Sequence, residues 1–293
     1  MIRKTFLLLL AAVLTICGGS LCVSAESGAE SEAPAASPAA EEPAPAEITV
    51  FAAKSLHTVM EELIAKYNET RPSVAVLDSY DSSGTLMTQI EEGAACDIFF
   101  SAAQKQMNEL EEKGFLVEGT RHDAVNNRVC VVTYKGSGTA VTGLKDMDKA
   151  SSIALADGSV PVGKYTREAM VASGILEGTD DNSAITTQEI SEALGGVEIN
   201  ECANVGAVAA AVSEGSNEVG TVYYSDTYGY EDRLEILEQV SYELTGDVIY
   251  PVAQIVNSEA DEAEKAAAAD FAAFLISDEA KEIFDAYHFD TNV

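Results

Sequence analysis

The amino-acid sequence predicts an α/β fold in which mostly parallel sheet is flanked by helices. Short apolar runs of strand length alternate with longer segments whose apolar residues recur at helical spacing. Such alternation is typical of βαβ units, whose strands pair in parallel. Hydrophobic residues make up 47% of the 293 residues, which is enough for a substantial core.

The strand-length runs follow one another from residue 48 to residue 256. They are ITVFAA (48–53), VAVL (74–77), DIFF (97–100), VCVVTY (129–134), IALAD (153–157), VGTVYY (219–224) and VIYPVAQIV (248–256). Pro251 lies inside the last run. Because proline cannot donate a ladder hydrogen bond, we expect that run to be an edge or crossing segment.

Helical periodicity follows most of these runs. The predicted helices cover residues 55–68, 85–92, 102–114, 160–174, 205–215, 259–276 and 278–287. Ser101 with Gln104 predicts a capping box at the start of the third helix, and Gly114 predicts its end. No internal repeat interrupts the alternation.

Residues 1–25 have the features of a signal peptide. A basic start precedes FLLLLAAVLTI, an apolar run too short to span a bilayer comfortably, and Val23-Ser24-Ala25 resembles a cleavage site. We therefore expect an exported protein in the periplasm or at the cell surface. Cys17 or Cys22 leaves lipid attachment open as an alternative, because a tether-like segment follows.

Residues 26–47 form an acidic segment of Ala, Pro, Glu and Ser, which predicts an extended, disordered linker. The whole chain carries 49 acidic and 17 basic residues. Without the two bases of residues 1–25 and the six acids of the linker, residues 48–293 keep 43 acids and 15 bases, a formal charge of −28. This charge disfavours nucleic acids and anionic membrane surfaces as partners.

The sequence offers no recognisable catalytic or metal centre. Three cysteines follow residue 25, namely Cys96, Cys130 and Cys202. Their number is odd and none has a C-x-x-C spacing, so we expect neither a disulfide framework nor a zinc site. The phosphate-loop, dinucleotide, zinc-protease and nucleophile-elbow motifs are missing. The histidines are scattered, which favours surface or capping roles; they are His57, His122 and His288. We expect a protein that is not an enzyme and has no cofactor.

Four predicted helix starts lie where strands end, and all carry small residues. In an open α/β sheet, ligands bind beyond the carboxyl ends of the strands, where helix N-termini present free N–H groups to anions. A domain with a charge of −28 would have to hold an anion mainly by such neutral donors. The four starts are at Ser55, at Ser82-Ser83-Gly84-Thr85, at Val162-Gly163 and at Val205-Gly206.

At these residues the sequence resembles the periplasmic molybdate-binding protein family. The matching stretches are ITVFAAKSL (48–56), SSGTLMTQIEEGAACDIFFSAAQKQM (82–107), DGSVPVGKYTREAM (157–170), VGTVYYSD (219–226) and VIYPVA (248–253). The resemblance implies a two-lobed, type II periplasmic-binding-protein clamp with its ligand cleft between the lobes. Residues 48–129 plus 252–293 would form lobe 1 and residues 130–251 lobe 2, with the chain crossing near Val129-Cys130 and Tyr250-Pro251.

The resemblance also implies a function and a ligand set. Members of the family capture molybdate or tungstate and deliver it to the membrane permease of an ABC importer, so we expect a monomer that binds molybdenum only as an oxyanion. Ser55 and Ser83 would donate through side chain and backbone, Val162 and Val205 through backbone N–H groups, and Tyr223 through its phenol. The chain departs from the family pattern at Ala95, Cys96 and His288.

Two other functions remain open at this stage. The Tyr223-Tyr224 pair in an acidic domain is compatible with a ferric-iron-binding protein, although Fe(III) would also require carboxylates or histidine beside the phenolates. An exported hydrolase using Ser55 or Ser83 would need a histidine base and an acid nearby. Molybdate and tungstate cannot be distinguished, because both need the same donors.

Overall fold

The computed structural model describes residues 44–293. The predicted signal peptide and residues 26–43 of the predicted linker lie outside this range. The first strand begins at Ala46, so the linker ends at residue 45 rather than 47, because Ala46 and Glu47 pair with Val74 and Ala75. Within residues 44–293, none of the helices combines the length and apolar character needed to cross a bilayer.

The described chain alternates strands and helices. The strands are β1 (Ala46–Ala53), β2 (Val74–Asp81), β3 (Ile98–Phe100), β4 (His122–Asn127), β5 (Val129–Tyr134), β6 (Ser152–Ala156), β7 (Glu198–Cys202), β8 (Val219–Tyr223), β9 (Leu234–Gln239) and β10 (Val248–Gln254). The α-helices are α1 (His57–Thr70), α2 (Ser83–Glu91), α3 (Gln104–Glu112), α4 (Pro161–Ala172), α5 (Thr187–Ala193), α6 (Val205–Ser213), α7 (Tyr242–Thr245), α8 (Glu262–Leu275) and α9 (Asp278–Ala286). A 3-10 turn, Lys54–Leu56, leads directly into α1.

The strands form two five-stranded sheets of the same design. Their orders are β2-β1-β3-β10-β4 and β7-β6-β8-β5-β9. The first three strands of each order pair in parallel, and the last two join antiparallel. Both sheets are therefore mixed, whereas the sequence predicted mostly parallel sheet. The antiparallel part consists of the strands next to the two points where the chain changes sheets.

The chain crosses between the sheets twice, which gives two lobes. It leaves the first sheet at Arg128, between β4 and β5, and returns between Gln239 and Val248. The second crossing precedes the predicted boundary at Tyr250-Pro251, because β10 already pairs with β4 of the first sheet at Val248. Lobe 1 is the first sheet with α1, α2, α3, α8 and α9; lobe 2 is the second sheet with α4, α5, α6 and α7.

Pro251 lies in an internal strand, so the prediction of an edge or crossing segment was wrong. β10 pairs with β3 on one side and with β4 on the other. The register with β4 shifts between Tyr250 and Pro251, and this irregularity accommodates a residue without an N–H group. The Pro251 carbonyl still accepts a 3.0 Å hydrogen bond from the N–H of Ser101.

The predicted capping box at Ser101 was also wrong. Helix α3 begins at Gln104, and its N-cap is Ala103, whose side chain cannot accept a hydrogen bond. Ser101 instead accepts a 3.2 Å bond from the Ala103 N–H and donates at 2.8 Å to the Ala103 carbonyl. The hydroxyl therefore fixes the tight bend after β3 rather than the helix end.

Candidate functional site

The four predicted helix starts converge on one small chamber between the lobes. Lobe 1 contributes the turn before α1, the start of α2 and the end of β3, and lobe 2 contributes the starts of α4 and α6 and the end of β8. All five residues of the predicted ligand set line the chamber. Its lining residues are Ala53, Lys54, Ser55, Ser82, Ser83, Ala102, Val160, Pro161, Val162, Asn204, Val205 and Tyr223.

Side-chain caps at α2 and α6 leave the first backbone N–H groups of both helices free. The Ser82 hydroxyl accepts from the Thr85 N–H at 3.1 Å, and the Asn204 side chain accepts from the Ala207 N–H at 3.0 Å. The N–H groups of Ser83 and Val205 lie one residue after these caps. They have no carbonyl partner within their helices, because the first turn of a helix never does.

Helix α4 has no side-chain cap, and a proline in its first turn leaves a backbone N–H group free. Pro161 occupies the first turn and has no N–H, so Val162 supplies the first donor of this helix. The next residue must be Gly163, because a Cβ there would lie 2.1 Å from the Asp157 carbonyl oxygen and 2.5 Å from that of Ala156. This close contact holds the start of α4 against the end of β6.

The hydroxyl oxygens of Ser55 and Ser83 both have hydrogen-bond partners within the protein. The Ser55 oxygen lies 2.9 Å from the Tyr250 hydroxyl, which itself accepts from the Asn127 amide at 3.1 Å. In this pair either hydroxyl can donate, because a phenol oxygen that accepts from Asn127 can also accept from Ser55. The Ser83 oxygen accepts from the Ala102 N–H at 2.9 Å, so the Ser83 proton is available to the chamber.

Tyr223 is a buried donor without an acceptor. Its side chain is 1% exposed, and its hydroxyl oxygen has no hydrogen-bond partner among residues 44–293. Burial, with smaller effects from Tyr250, Tyr165 and Asp226, raises the pKa of Tyr223 well above its usual value, so the phenol keeps its proton. A buried unsatisfied hydroxyl costs roughly 1–3 kcal/mol, and an acceptor in the chamber would remove that cost.

The size of the chamber restricts what can bind. The space open to the centre of a water molecule is about 10 Å³. A sphere of that volume, widened by the radius of water, has a radius of about 2.7 Å. A chamber of this size suits one compact ion of a few atoms better than a sugar or a peptide.

Contacts between the lobes surround the chamber. The Gln106 amide donates to the Ser159 carbonyl at 3.4 Å, and the Asn204 amide donates to Asp81 at 3.3 Å. A Cβ on Gly84 would lie 3.2 Å from the Ser159 carbonyl oxygen. These contacts join the two lobes around the chamber, and a side chain at position 84 would require the Ser159 carbonyl to shift by a few tenths of an ångström.

Arg167 is a functional candidate that the sequence analysis missed. Its side chain is 1% exposed in the middle of α4, and burial lowers its pKa. The guanidinium donates to the carbonyls of Ala156 (3.0 Å), Gly163 (2.9 Å) and Ile185 (2.6 Å). It therefore connects α4 to the end of β6 and to Ile185. An arginine within an otherwise apolar helix face was its only sequence signal.

Asp226 lies behind Tyr223 on the protein side. Its carboxylate accepts from the Tyr223 N–H at 3.0 Å. Burial raises the pKa of Asp226 to about 7, against the lowering effects of that hydrogen bond and of the Lys54 charge. A carboxyl group that is readily neutralised close to the chamber is compatible with an anion there, whereas a fully ionised one would repel it.

The tyrosine pair does not form one metal site. Tyr223 and Tyr224 are consecutive at the end of β8; Tyr223 lines the chamber, and Tyr224 lines a different cavity, where its ring stacks on His288 at 4.3 Å. Strand β8 ends at Tyr223, and Tyr224 has the helical backbone angles φ −60° and ψ −39°, so the chain turns between the two side chains. Across residues 44–293, no three His, Cys, Asp or Glu side chains are grouped as a metal ion would require.

The serines lack the partners of a hydrolase. No histidine is among the lining residues of the chamber. His57 instead faces Glu61, with 3.8 Å between Nε2 and the carboxylate, and packs edge-on against Tyr80. Within residues 44–293, neither serine hydroxyl is hydrogen-bonded to a histidine or a carboxylate.

The structure also shows the surroundings of the three cysteines. Cys96, Cys130 and Cys202 are buried free thiols, and burial raises the pKa of Cys96 and of Cys130 to about 12.

His288 follows the C-cap of α9 with φ 68°. It is the glycine-like position of a Schellman motif, in which the N–H of Phe289 bonds the Phe284 carbonyl at 3.1 Å.

Comparisons with known proteins agree with this geometry. The sequence profile of the family described as bacterial extracellular solute-binding protein matches residues 48–290. The chain is 30% identical over 256 residues to the molybdate-binding protein ModA of Haemophilus influenzae, covering 84% of this chain and 91% of the relative. It is also 30% identical over 249 residues to the ModA of Escherichia coli, covering 83% and 88%.

A solved structure supports the two-lobed architecture. The periplasmic molybdate-binding protein of Azotobacter vinelandii superposes with a TM-score of 0.67 at 20% identity, covering 83% of this chain and 98% of that one. At that identity the likeness concerns the fold. The helix starts around the chamber thus belong to a known clamp architecture.

Proposed function

Because the chain belongs to the bacterial extracellular solute-binding proteins, and among them to the periplasmic molybdate-binding family, we propose that it captures molybdate or tungstate outside the cytoplasm and delivers it to an ABC importer. At the level of the family these are transport proteins and not enzymes. The proposed ligand donors are Ser55, Ser83, Val162, Val205 and Tyr223.

The buried phenol of Tyr223 is the observation that carries this proposal. It is a protonated donor that faces the chamber and has no acceptor on the protein. Around it lie the Ser83 hydroxyl, whose proton is available, and free helix N–H groups, so the chamber is rich in donors and poor in acceptors. Only a ligand whose surface consists of acceptors, such as a tetrahedral oxyanion, satisfies every one of these groups.

Binding energy of the right size is available from neutral donors. A hydrogen bond to a charged group contributes roughly 1.5–3 kcal/mol net. Six or seven such bonds exceed the association cost of at least ~4 kcal/mol. The four helix N-termini add favourable dipoles without requiring basic residues in an acidic protein.

Ferric iron is disfavoured by the same geometry. Iron(III) needs phenolates and carboxylates, whereas burial raises the pKa of Tyr223 and Tyr224 lies in another cavity. A chamber without an acidic lining residue offers such a cation no anionic ligand.

A thermal-unfolding panel tests the proposal with molybdate, tungstate, sulfate, phosphate and Fe(III). A ligand that binds only the native state at a hundredfold excess over Kd adds about 2.7 kcal/mol of stability. We expect a clear upward shift of Tm with molybdate or tungstate and none with Fe(III). A shift with Fe(III) alone would favour the iron-binding alternative, and no shift with any oxyanion would refute the proposed ligand class.

A further inference from the structure

Lys54 is the charged residue among those that line the chamber, and it lines a second cavity as well. This second cavity, which we call the vestibule, has a volume of about 390 Å³ and shares Lys54, Ser55 and Asn204 with the chamber. Its other lining residues are His57, Thr58, Gly206, Ala207, Ala209, Ser225, Asp226, Tyr228 and Tyr230. Lys54 therefore lies where the larger cavity meets the smaller one.

The Lys54 side chain also spans the cleft. It belongs to the turn before α1 in lobe 1, and its stem lies over the first turn of α6 in lobe 2. A Cβ built on Gly206 would come within 3.1 Å of Lys54 Cγ and 3.2 Å of Cε. The ammonium nitrogen lies 6.0 Å from the centroid of the Tyr80 ring, back on lobe 1.

The positive charge of Lys54 is near enough to Asp226, which also lines the vestibule, to lower the pKa of that carboxyl group, but Lys54 forms no ion pair within residues 44–293. None of the salt bridges formed within residues 44–293 includes Lys54, whereas lysines such as Lys66 and Lys113 contact glutamates. Because residues 48–293 carry a formal charge of −28, a dianion approaching the protein is repelled at long range. A cation at the inner end of the vestibule offsets that repulsion at the point of entry.

We propose that Lys54 captures the incoming oxyanion and closes the cleft over it, as a residue separate from the neutral donors that hold the ion. This inference rests on the proposed function. The ammonium accelerates entry through the vestibule, and the aliphatic stem, packed on Gly206, slows escape. The two roles belong to different parts of one side chain, so substitutions can separate them.

The test compares Lys54→Met, Lys54→Ala and the control Lys145→Met in the full chain. Lys54→Met removes the charge and keeps most of the stem, and Lys54→Ala removes both. Lys145 is exposed in lobe 2, is not among the lining residues of the chamber or the vestibule, and undergoes the same charge change. Rates come from rapid filtration with radiolabelled molybdate at low and high ionic strength.

We expect Lys54→Met to lower the association rate about three- to tenfold at low salt, with the difference shrinking at high salt. Lys54→Ala should show the same loss and, in addition, a several-fold faster dissociation. Equal association rates for Lys54→Met and Lys145→Met would overturn the capture role, and equal dissociation rates for the two Lys54 variants would overturn the closure role. If the unaltered protein retained no molybdate, the proposed function itself would fail, which is a different result.

Discussion

Replacing Tyr223 by phenylalanine should stabilise the protein without ligand and weaken its binding of molybdate. The substitution removes only the phenol oxygen, which is buried and without a partner in residues 44–293. Deleting an unsatisfied buried hydroxyl relieves part of a cost of roughly 1–3 kcal/mol. Deleting a donor to a charged ligand costs about 1.5–3 kcal/mol of binding, which is about ten- to a hundredfold in Kd.

Tyr250 provides a matched control. It is also fully buried, and its ring lies edge-on to that of Tyr223 with 5.7 Å between centroids. Its hydroxyl, however, is bonded to Ser55 and Asn127. Tyr250→Phe removes the partner of the Ser55 hydroxyl and one of the two hydrogen bonds donated by the Asn127 amide, so we expect it to lower the free energy of unfolding by about 1–3 kcal/mol.

Urea unfolding without ligand and calorimetric titration with molybdate measure the two effects. The expected pattern is a higher unfolding free energy with a weaker Kd for Tyr223→Phe, and a lower unfolding free energy for Tyr250→Phe. If Tyr223→Phe destabilised the protein as much as Tyr250→Phe and left Kd unchanged, Tyr223 would be a core aromatic and the donor assignment would be refuted.

Three further predictions follow from other parts of the site and fold. Ser83→Ala should weaken molybdate binding about ten- to a hundredfold, whereas Val205→Ala keeps its backbone donor and should weaken it much less; calorimetry with the reverse order would contradict the ligand set. Because burial raises the pKa of Asp226 from 3.8 to about 7, the native state holds a proton that the unfolded chain releases, so stability should fall as the pH rises from about 4 to about 7, by up to about 1.4 kcal/mol per pH unit. Urea titrations of Asp226→Asn should lack this contribution, and an unchanged pH slope would argue against it. His288→Gly should be more stable than His288→Ala by about 1 kcal/mol in thermal unfolding, because only glycine adopts φ 68° without strain; equal stabilities would mean that the left-handed backbone relaxes.

Local sequence signals accounted for the parts of the fold that they could encode. Buried strands such as β1 and β8 are continuous apolar runs, and the helix starts at Ser83 and Val205 follow capping residues. Strands β4, β7 and β9 were missed; all three lie at the edges of their sheets, and β7 and β9 also contain exposed glutamates, which weakens the apolar pattern.

Contacts between residues that are distant in the chain could not be predicted from local sequence patterns. Tyr250 orients the Ser55 hydroxyl from 195 positions away, and nothing in VIYPVAQIV indicates that role. Arg167 recurs at the spacing of the buried residues of α4, whereas a charged arginine is usually exposed. Pro251 misled the prediction because its strand tolerates it through a register shift that depends on the neighbouring strand β4.

The most direct test of the account is an anomalous-scattering map, at the molybdenum edge, of a crystal grown with molybdate. We expect one strong peak in the chamber, with ligand oxygens within hydrogen-bond distance of the Ser55, Ser83 and Tyr223 hydroxyls and of the Val162 and Val205 N–H groups. A peak coordinated by carboxylates, or one outside the chamber with the Tyr223 hydroxyl still unpartnered, would contradict the claim that neutral donors at converging helix starts bind an oxyanion.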